Sequence, residues 1–276
     1  MERHTQSVTD HYRRDGLAEI IREALAKDGK DLDNLTIDDL APVDEFHTRG
    51  REATVELAEF AGIEPGMRVV DVGSGLGGPA RYLAQTYGCT VAGVDLSEEF
   101  CRTATMLAEM TGLADKVSFQ HASALDMPFE DASFDLAWTV QIQMNIADKA
   151  RFYGEIFRVL EPGGRFVFQD ILQGPGGPIR VPTPWASEPG MNFLYSPAKL
   201  SDLLTDVGFE QIEWRDRTDA HREWYDHQPE ATGKPMPKLS IHLVLGPEAG
   251  EKRRNTRQNL LEDRIAYVQA ILCKPD

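Results

Sequence analysis

The run Val69-Val70-Asp71-Val72-Gly73-Ser74-Gly75-Leu76-Gly77-Gly78-Pro79 sets a glycine-rich turn between an apolar stretch of strand length and a segment with helical spacing. Glycines at alternate positions permit positive φ and let backbone N–H groups approach a ligand, and Pro79 suits the first turn of a helix. A G-x-G pattern alone fits a dinucleotide, another adenosine ligand or an ordinary structural turn. Two carboxylates narrow the choice. Asp71 sits inside the end of the strand, where it could anchor the turn or a ligand ammonium and would repel a pyrophosphate. Asp95, followed by Leu96, ends the next strand, where a carboxylate can accept from both hydroxyls of a ribose. Ser123-Ala124-Leu125 follows a third strand and could meet an adenine edge. The combination favours S-adenosylmethionine, with Asp71, Gly73, Gly75, Gly77, Asp95, Leu96, Ser123, Ala124 and Leu125 as the binding set. A nucleotide-binding dehydrogenase is the rival, but it would be expected to lack the Pro162-Gly163-Gly164 turn and to carry a separate substrate domain.

The elements that must position these residues alternate along the chain. Strands are expected at Arg68–Val72, Thr90–Asp95, Val117–His121, Phe134–Thr139 and Arg165–Asp170, separated by helices at Pro79–Tyr87, Glu98–Thr111 and Lys149–Leu160. That rhythm is the signature of an α/β fold with a parallel, doubly wound sheet. Ahead of it, apolar residues from Val8 to Leu25 recur at three- and four-residue spacing, predicting one amphipathic helix over Thr5–Lys27. A polar linker, an ordered loop at Leu40-Ala41-Pro42-Val43 and a helix at Arg51–Ala61 follow. Six prolines between Leu172 and Pro197 exclude a regular helix or central strand there. Beyond them come a helix at Ala198–Val207, a strand at Glu210–Arg215, a helical or irregular stretch from Thr218 to Leu260, and a last strand at Ile265–Cys273. Residues 1–50 read as an N-terminal helix and mobile lid, and 51–276 as the main domain.

Composition bounds the partners. A net charge of -16 over 276 residues opposes binding to a phosphate backbone, so nucleic acid is not expected. No stretch approaches the roughly 18 apolar residues of a membrane span, and the N-terminus lacks the apolar core of a secretory signal. A cytoplasmic location follows. The three cysteines, Cys89, Cys101 and Cys273, have neither disulfide-framework nor zinc-site spacing, and no metal is expected. Nothing in the sequence sets an oligomeric state.

Taken together, these segments resemble the class I methyltransferases. That likeness implies a Rossmann-like, doubly wound sheet of seven strands with an antiparallel last strand, here with an N-terminal helical lid and C-terminal insertions. Val43-Asp44-Glu45-Phe46-His47, Gly73 to Ala80, Gln143-Met144-Asn145-Ile146 and Pro184-Trp185 make the chain similar to the sarcosine and dimethylglycine N-methyltransferases, over roughly residues 35–273. The resemblance implies N-methylation of an amino carboxylate on the way to glycine betaine, with S-, O- or C-methylation of another small metabolite as the alternative. It places His47, Gln141, Gln143 and Asn145 in catalytic positions, and Phe46 and Met144 beside the acceptor. Gly50 would lie near the methyl donor. The chain departs from the family pattern at Val140-Gln141, where Gln-His is usual, and at Arg49-Gly50, where Gly-Gly is frequent.

Methyl transfer from a sulfonium needs alignment more than a strong base. An acceptor carboxylate would want a guanidinium, for which Arg49 and Arg180 stand in suitable loops. Of the tryptophans, Trp138 and Trp214 lie in strands and are expected in the core, whereas Trp185 in the proline-rich loop is placed to face a methylated ammonium. His47 could accept a proton or simply bond within its loop.

Overall fold

The computed structural model describes residues 8, 9, 11–228 and 238–276. Its helices and strands, in chain order, are α1 (Leu17–Lys27), α2 (Ile37–Asp44), α3 (Arg51–Ala61), β1 (Arg68–Val72), α4 (Gly78–Tyr87), β2 (Thr90–Asp95), α5 (Glu98–Met110), β3 (Val117–His121) and β4 (Phe134–Val140). They continue with α6 (Lys149–Val159), β5 (Leu160–Gln173), α7 (Pro197–Val207), β6 (Glu210–Asp216), α8 (Thr218–His227), α9 (His242–Leu245), α10 (Ala249–Leu261) and β7 (Ile265–Cys273). The seven strands form one sheet in the order β3-β2-β1-β4-β5-β7-β6, with β1 to β5 mutually parallel and β7 antiparallel to both neighbours. Strand order reverses between β1 and β4. In an open α/β sheet the crevice outside the carboxyl ends at such a reversal is where ligands bind.

The sheet is buried on both faces, which explains its near-continuous apolar strands. Val69, Leu136, Trp138 and Val167 point to one side and pack with Leu57 and Leu83 of α3 and α4. Val70, Ala137, Phe166 and Phe168 point to the other and pack with Phe152 and Ile156 of α6 and Leu204 of α7. Trp138 is fully buried, and Trp214 packs edge-on against Phe168, so both tryptophans belong to the core as expected.

Two expectations change and a third sharpens. Of the single helix expected over Thr5–Lys27, Thr5, Gln6, Ser7 and Asp10 lie outside the described residues. The remainder divides: residues 8, 9, 11 and 12 are helical, and α1 starts only after Gly16, whose φ of 73° ends regular helical geometry. The loop at Leu40–Val43 is helix α2, nucleated by a capping box in which Thr36 and Asp39 satisfy each other's backbone N–H, with Pro42 accommodated inside. The stretch after Thr218 resolves into α8, α9 and α10, of which α10 spans three and a half turns.

Candidate active site

A cavity of about 1300 Å³ opens along the carboxyl ends of β1, β2 and β4. The β1–α4 turn builds one part of it. Gly73 and Gly75 have φ of 78° and 54°, and both line the cavity. A Cβ on Gly73 would stand 2.4 Å from Ile142 Cδ1, whereas one on Gly75 would meet nothing within 4 Å, so at Gly75 the backbone itself faces open space. Asp95 is pinned at the end of β2: Gly75 N–H donates to one carboxylate oxygen at 2.9 Å and Ser97 N–H to the other at 2.8 Å. Each oxygen keeps a further lone pair. Asp71 is buried beside it, and its Oδ2 has no hydrogen-bond partner among the described residues. Burial, together with the charges of Asp95 and Glu45, pushes the Asp71 carboxyl up to about 8. Leu96, Ser123, Ala124 and Leu125 complete this part of the lining. An orphaned carboxylate, a pinned one and an open glycine backbone fit an aminoacyl-adenosine ligand, whose ammonium, ribose and adenine need those groups.

Gly77 does something else. Its Cβ would lie 2.4 Å from Phe119 and 2.9 Å from Arg81, so this glycine serves close packing of α4 on the sheet and is not in the lining.

The loop after α2 forms a second part. Asp44 and Arg81 are a fully buried ion pair at 2.7 Å, with Arg81 also donating to Leu76 O at 2.7 Å and Ala104 O at 3.2 Å. Burial raises the Asp44 carboxyl to about 6 against the pull of Arg81. Next in sequence, Glu45 is buried too. Burial resists its ionisation, but the hydrogen bond and charge of His47 and the guanidinium of Arg51 hold it down at about 2. His47 lines the cavity, yet its Nε2 lies 3.0 Å from Glu45 Oε2 and 3.2 Å from Thr54 Oγ1, and its Nδ1 faces Thr48 O at 3.4 Å. Against an ionised Glu45, Nε2 is the donor and offers no lone pair to the cavity.

The segment after β4 forms the third part. Gln141 takes a φ of 52°, rare for a residue with a side chain, and its Oε1 accepts from Thr48 N–H at 3.2 Å, joining the two loops. Its Nε2 is buried without a partner among the described residues. Asn145 is held from both ends: Tyr12 O–H donates to Oδ1 at 2.8 Å, and Nδ2 donates to Trp185 O at 2.7 Å. Gln143, in contrast, is fully buried, donates to Ile171 O and does not line the cavity. Behind this segment Lys149 donates to Gln143 O at 2.6 Å and Ile146 O at 2.7 Å, while Asp170 accepts from Gln143 N–H and Ile171 N–H.

Phe46, Met144 and Trp185 line the cavity as expected of acceptor contacts, with Trp185 anchored by donation to Asn192 Oδ1 at 3.0 Å. The two arginines do not. Arg49 turns away to Glu52 and Glu56, and Arg180 pairs with Glu262 on the surface. Sequence reasoning missed Tyr12, Thr48 and Tyr225, and it missed Arg253, Arg254 and Arg257 of α10, all in the lining. Arg253 and Arg254 stand together in a polar helix, a visible signal with no clue to what it faces.

Residues 70–168 match the family model described as a methyltransferase domain. The matched stretch holds Asp71, the glycine turn, Asp95 and the Gln141–Asn145 segment, whereas His47, Trp185 and α10 lie outside it. Among curated relatives, the sarcosine/dimethylglycine N-methyltransferase of Halorhodospira halochloris is 33% identical over 181 residues, 66% of this chain and 64% of that one. The chloroplastic tocopherol O-methyltransferase of Arabidopsis thaliana is 42% identical over 127 residues, 42% of this chain and 36% of that one. The matched part thus spans less than two thirds of either relative. Among solved structures, the geranyl diphosphate C-methyltransferase of Streptomyces coelicolor A3(2) superposes with a TM-score of 0.69 at 18% identity, over 98% of this chain and 97% of that one. The fold is therefore one that this chain shares with that C-methyltransferase.

Proposed function

We propose that the protein transfers a methyl group from S-adenosylmethionine to a small-molecule acceptor, with N-methylation of an amino carboxylate such as sarcosine or dimethylglycine as the leading reaction. One observation carries this reading: the orphaned Asp71 carboxylate and the pinned Asp95 carboxylate open on the same cavity as the 46–48 and 141–145 segments. Asp71 would receive the ligand ammonium, Asp95 the ribose hydroxyls, and Ser123 to Leu125 the adenine. The bound cofactor supplies an electrophilic sulfonium methyl. The chain's own task is then to align the acceptor and exclude water. Gln141, fixed by Thr48, and Asn145, fixed between Tyr12 and Trp185, are amides and cannot take a proton from an ammonium. With His47 engaged by Glu45, an amine acceptor loses its proton to solvent before transfer. S-, O- or C-methylation of another metabolite is the second reading, favoured by the O-methyltransferase relative.

We assign the lid to residues 11–15. There Tyr12 reaches Asn145, His11 Nε2 contacts Pro184 O at 2.8 Å, and Arg14 donates to Val244 O and Leu245 O, whereas α1 buries Leu17, Ile21 and Leu25 completely. The described cysteines are free, and among the described residues no helix is long and apolar enough to cross a membrane, so we place the protein in the cytoplasm. The net charge of -16 argues against nucleic acid as the acceptor.

Calorimetric titration with S-adenosylhomocysteine and with NAD tests the reading. The first should bind and the second should not. Asp95→Ala should weaken binding about tenfold or more, since a charged acceptor of two hydrogen bonds is worth roughly 1.5 to 3 kcal/mol. Unchanged affinity in that variant removes the ribose assignment.

A further inference from the structure

In a chain carrying a net charge of -16, α10 sets Lys252, Arg253, Arg254 and Arg257 against the single acid Glu251. All three arginines line the cavity. Asp226, also in the lining, neutralises Arg257 at 3.2 Å. Arg253 donates to Gln228 Oε1 at 3.1 Å and lies 5.9 Å from the centroid of the Trp224 ring, and neither it nor Arg254 has an acidic partner among the described residues. Two arginines of the lining, both of them exposed, therefore carry charges that those residues do not compensate.

Their position is on the acceptor side. Arg253 lies against Trp224, which packs in one cluster with Met144, Trp185, Tyr225 and Tyr267, and the Tyr267 hydroxyl is 3.0 Å from Thr48 Oγ1 beside the loop of His47. The walls there are apolar and aromatic: Met144, Trp185, Phe193, Trp224 and Tyr225. The cavity volume of about 1300 Å³ exceeds the roughly 300–1,000 Å³ of an ordinary small-molecule site. There is room for a cofactor and for an acceptor well beyond amino-acid size.

We infer that the acceptor is an amphipathic anion, its apolar body lying against Trp185 and Trp224 and its carboxylate or phosphate received by Arg253 and Arg254. This rests on the methyl-transfer reading but not on its leading acceptor, since it favours a larger amphipathic anion over sarcosine or dimethylglycine, and it replaces Arg49 and Arg180 as the anion partners. Guanidinium forks match both head groups, and a planar pair can engage two oxygens at once.

The test uses the full chain saturated with S-adenosylhomocysteine and four probes that share one body: octanoate, octyl phosphate, octanol and octylammonium. Calorimetry should show the two anions binding at least about tenfold more tightly than the alcohol or the amine, the size expected of a charge-assisted pair. The difference between octanoate and octyl phosphate names the head group. In Arg253→Gln/Arg254→Gln the preference for anions should fall to within about twofold while S-adenosylhomocysteine affinity is unchanged, and Arg253→Lys/Arg254→Lys should restore part of it. Four probes that bind alike or not at all, a preference that survives in the glutamine variant, or loss of S-adenosylhomocysteine from that variant overturns the inference. If the unmodified protein fails to bind S-adenosylhomocysteine, the methyl-transfer reading falls and takes this one with it; head-group indifference with that ligand bound removes this one alone.

Discussion

The two sides of the cavity are made of different material. Around Gly73, Gly75 and Asp95 the polar groups are backbone N–H donors and strand-end carboxylates, and the bonds that hold them join residues 20 apart or fewer, as between Gly75 and Asp95 or Asp95 and Ser97. On the acceptor side the groups are side chains held by partners from remote segments: Thr48 with Gln141 is 93 residues apart and Tyr12 with Asn145 is 133. The first side is stiff because β1 and β2 are stiff. The second is only as well defined as the packing of several loops against one another. A cofactor common to many reactions suits the first construction, and an acceptor that differs between enzymes suits the second.

The Asp44–Arg81 pair is the bolt between the two sides, since Asp44 ends α2 where it enters the His47 loop and Arg81 belongs to α4. Asp44→Ala leaves a guanidinium buried without its charge partner and should cost about 3–5 kcal/mol of stability, read from the shift in a urea denaturation midpoint. A much smaller loss would mean that the two sides are held independently.

A smaller effect should separate the sides by pH. In the free protein the Asp71 carboxyl stands near 8, and a bound ammonium or sulfonium favours its ionised form, so binding releases a proton at pH 7. Affinity for S-adenosylmethionine should therefore rise with pH towards about 8 by up to roughly tenfold per unit and flatten above it. Asp71→Asn should abolish this slope in calorimetry across buffers of different ionisation heat. A slope that persists in the variant would place the proton elsewhere.

Turnover is expected to move less when His47 is changed. With Nε2 donated to Glu45, His47→Asn should lower kcat by less than about tenfold and leave the alkaline rise intact, whereas a loss beyond about a hundredfold with cofactor binding preserved would make His47 the base after all. Smallest of all is Arg180, half exposed and paired with Glu262. Arg180→Ala should leave the acceptor KM unchanged in steady-state assays, and a raised KM would return it to the site.

The order of strands and helices was legible because a doubly wound sheet writes itself as alternating apolar runs and amphipathic spacings, and Ile265–Cys273 appears as a strand with the expected ends. Boundaries drifted where backbone pairing outran the apolar pattern: β5 runs on to Gln173 because β7 pairs with it from Arg165 as far as Gln173 with Ile265. The helix expected across Gly16 breaks, since spacing alone does not register a left-handed residue.

Within the site, the sequence by itself determined the parts that a few consecutive residues can make: the glycine turn, Asp71 within β1 and Asp95 at the end of β2. Their geometry follows from local backbone rules and from the pairing of β1 with β2. Only the tertiary structure decided the direction of side chains beyond that turn. It withdrew Gly77 into packing, buried Gln143 behind its loop, and sent Arg49 and Arg180 to surface acids while bringing Arg253 and Arg254 of α10 to the cavity. A long side chain goes where an opposite charge or an open volume lies, and neither exists until distant segments have packed together.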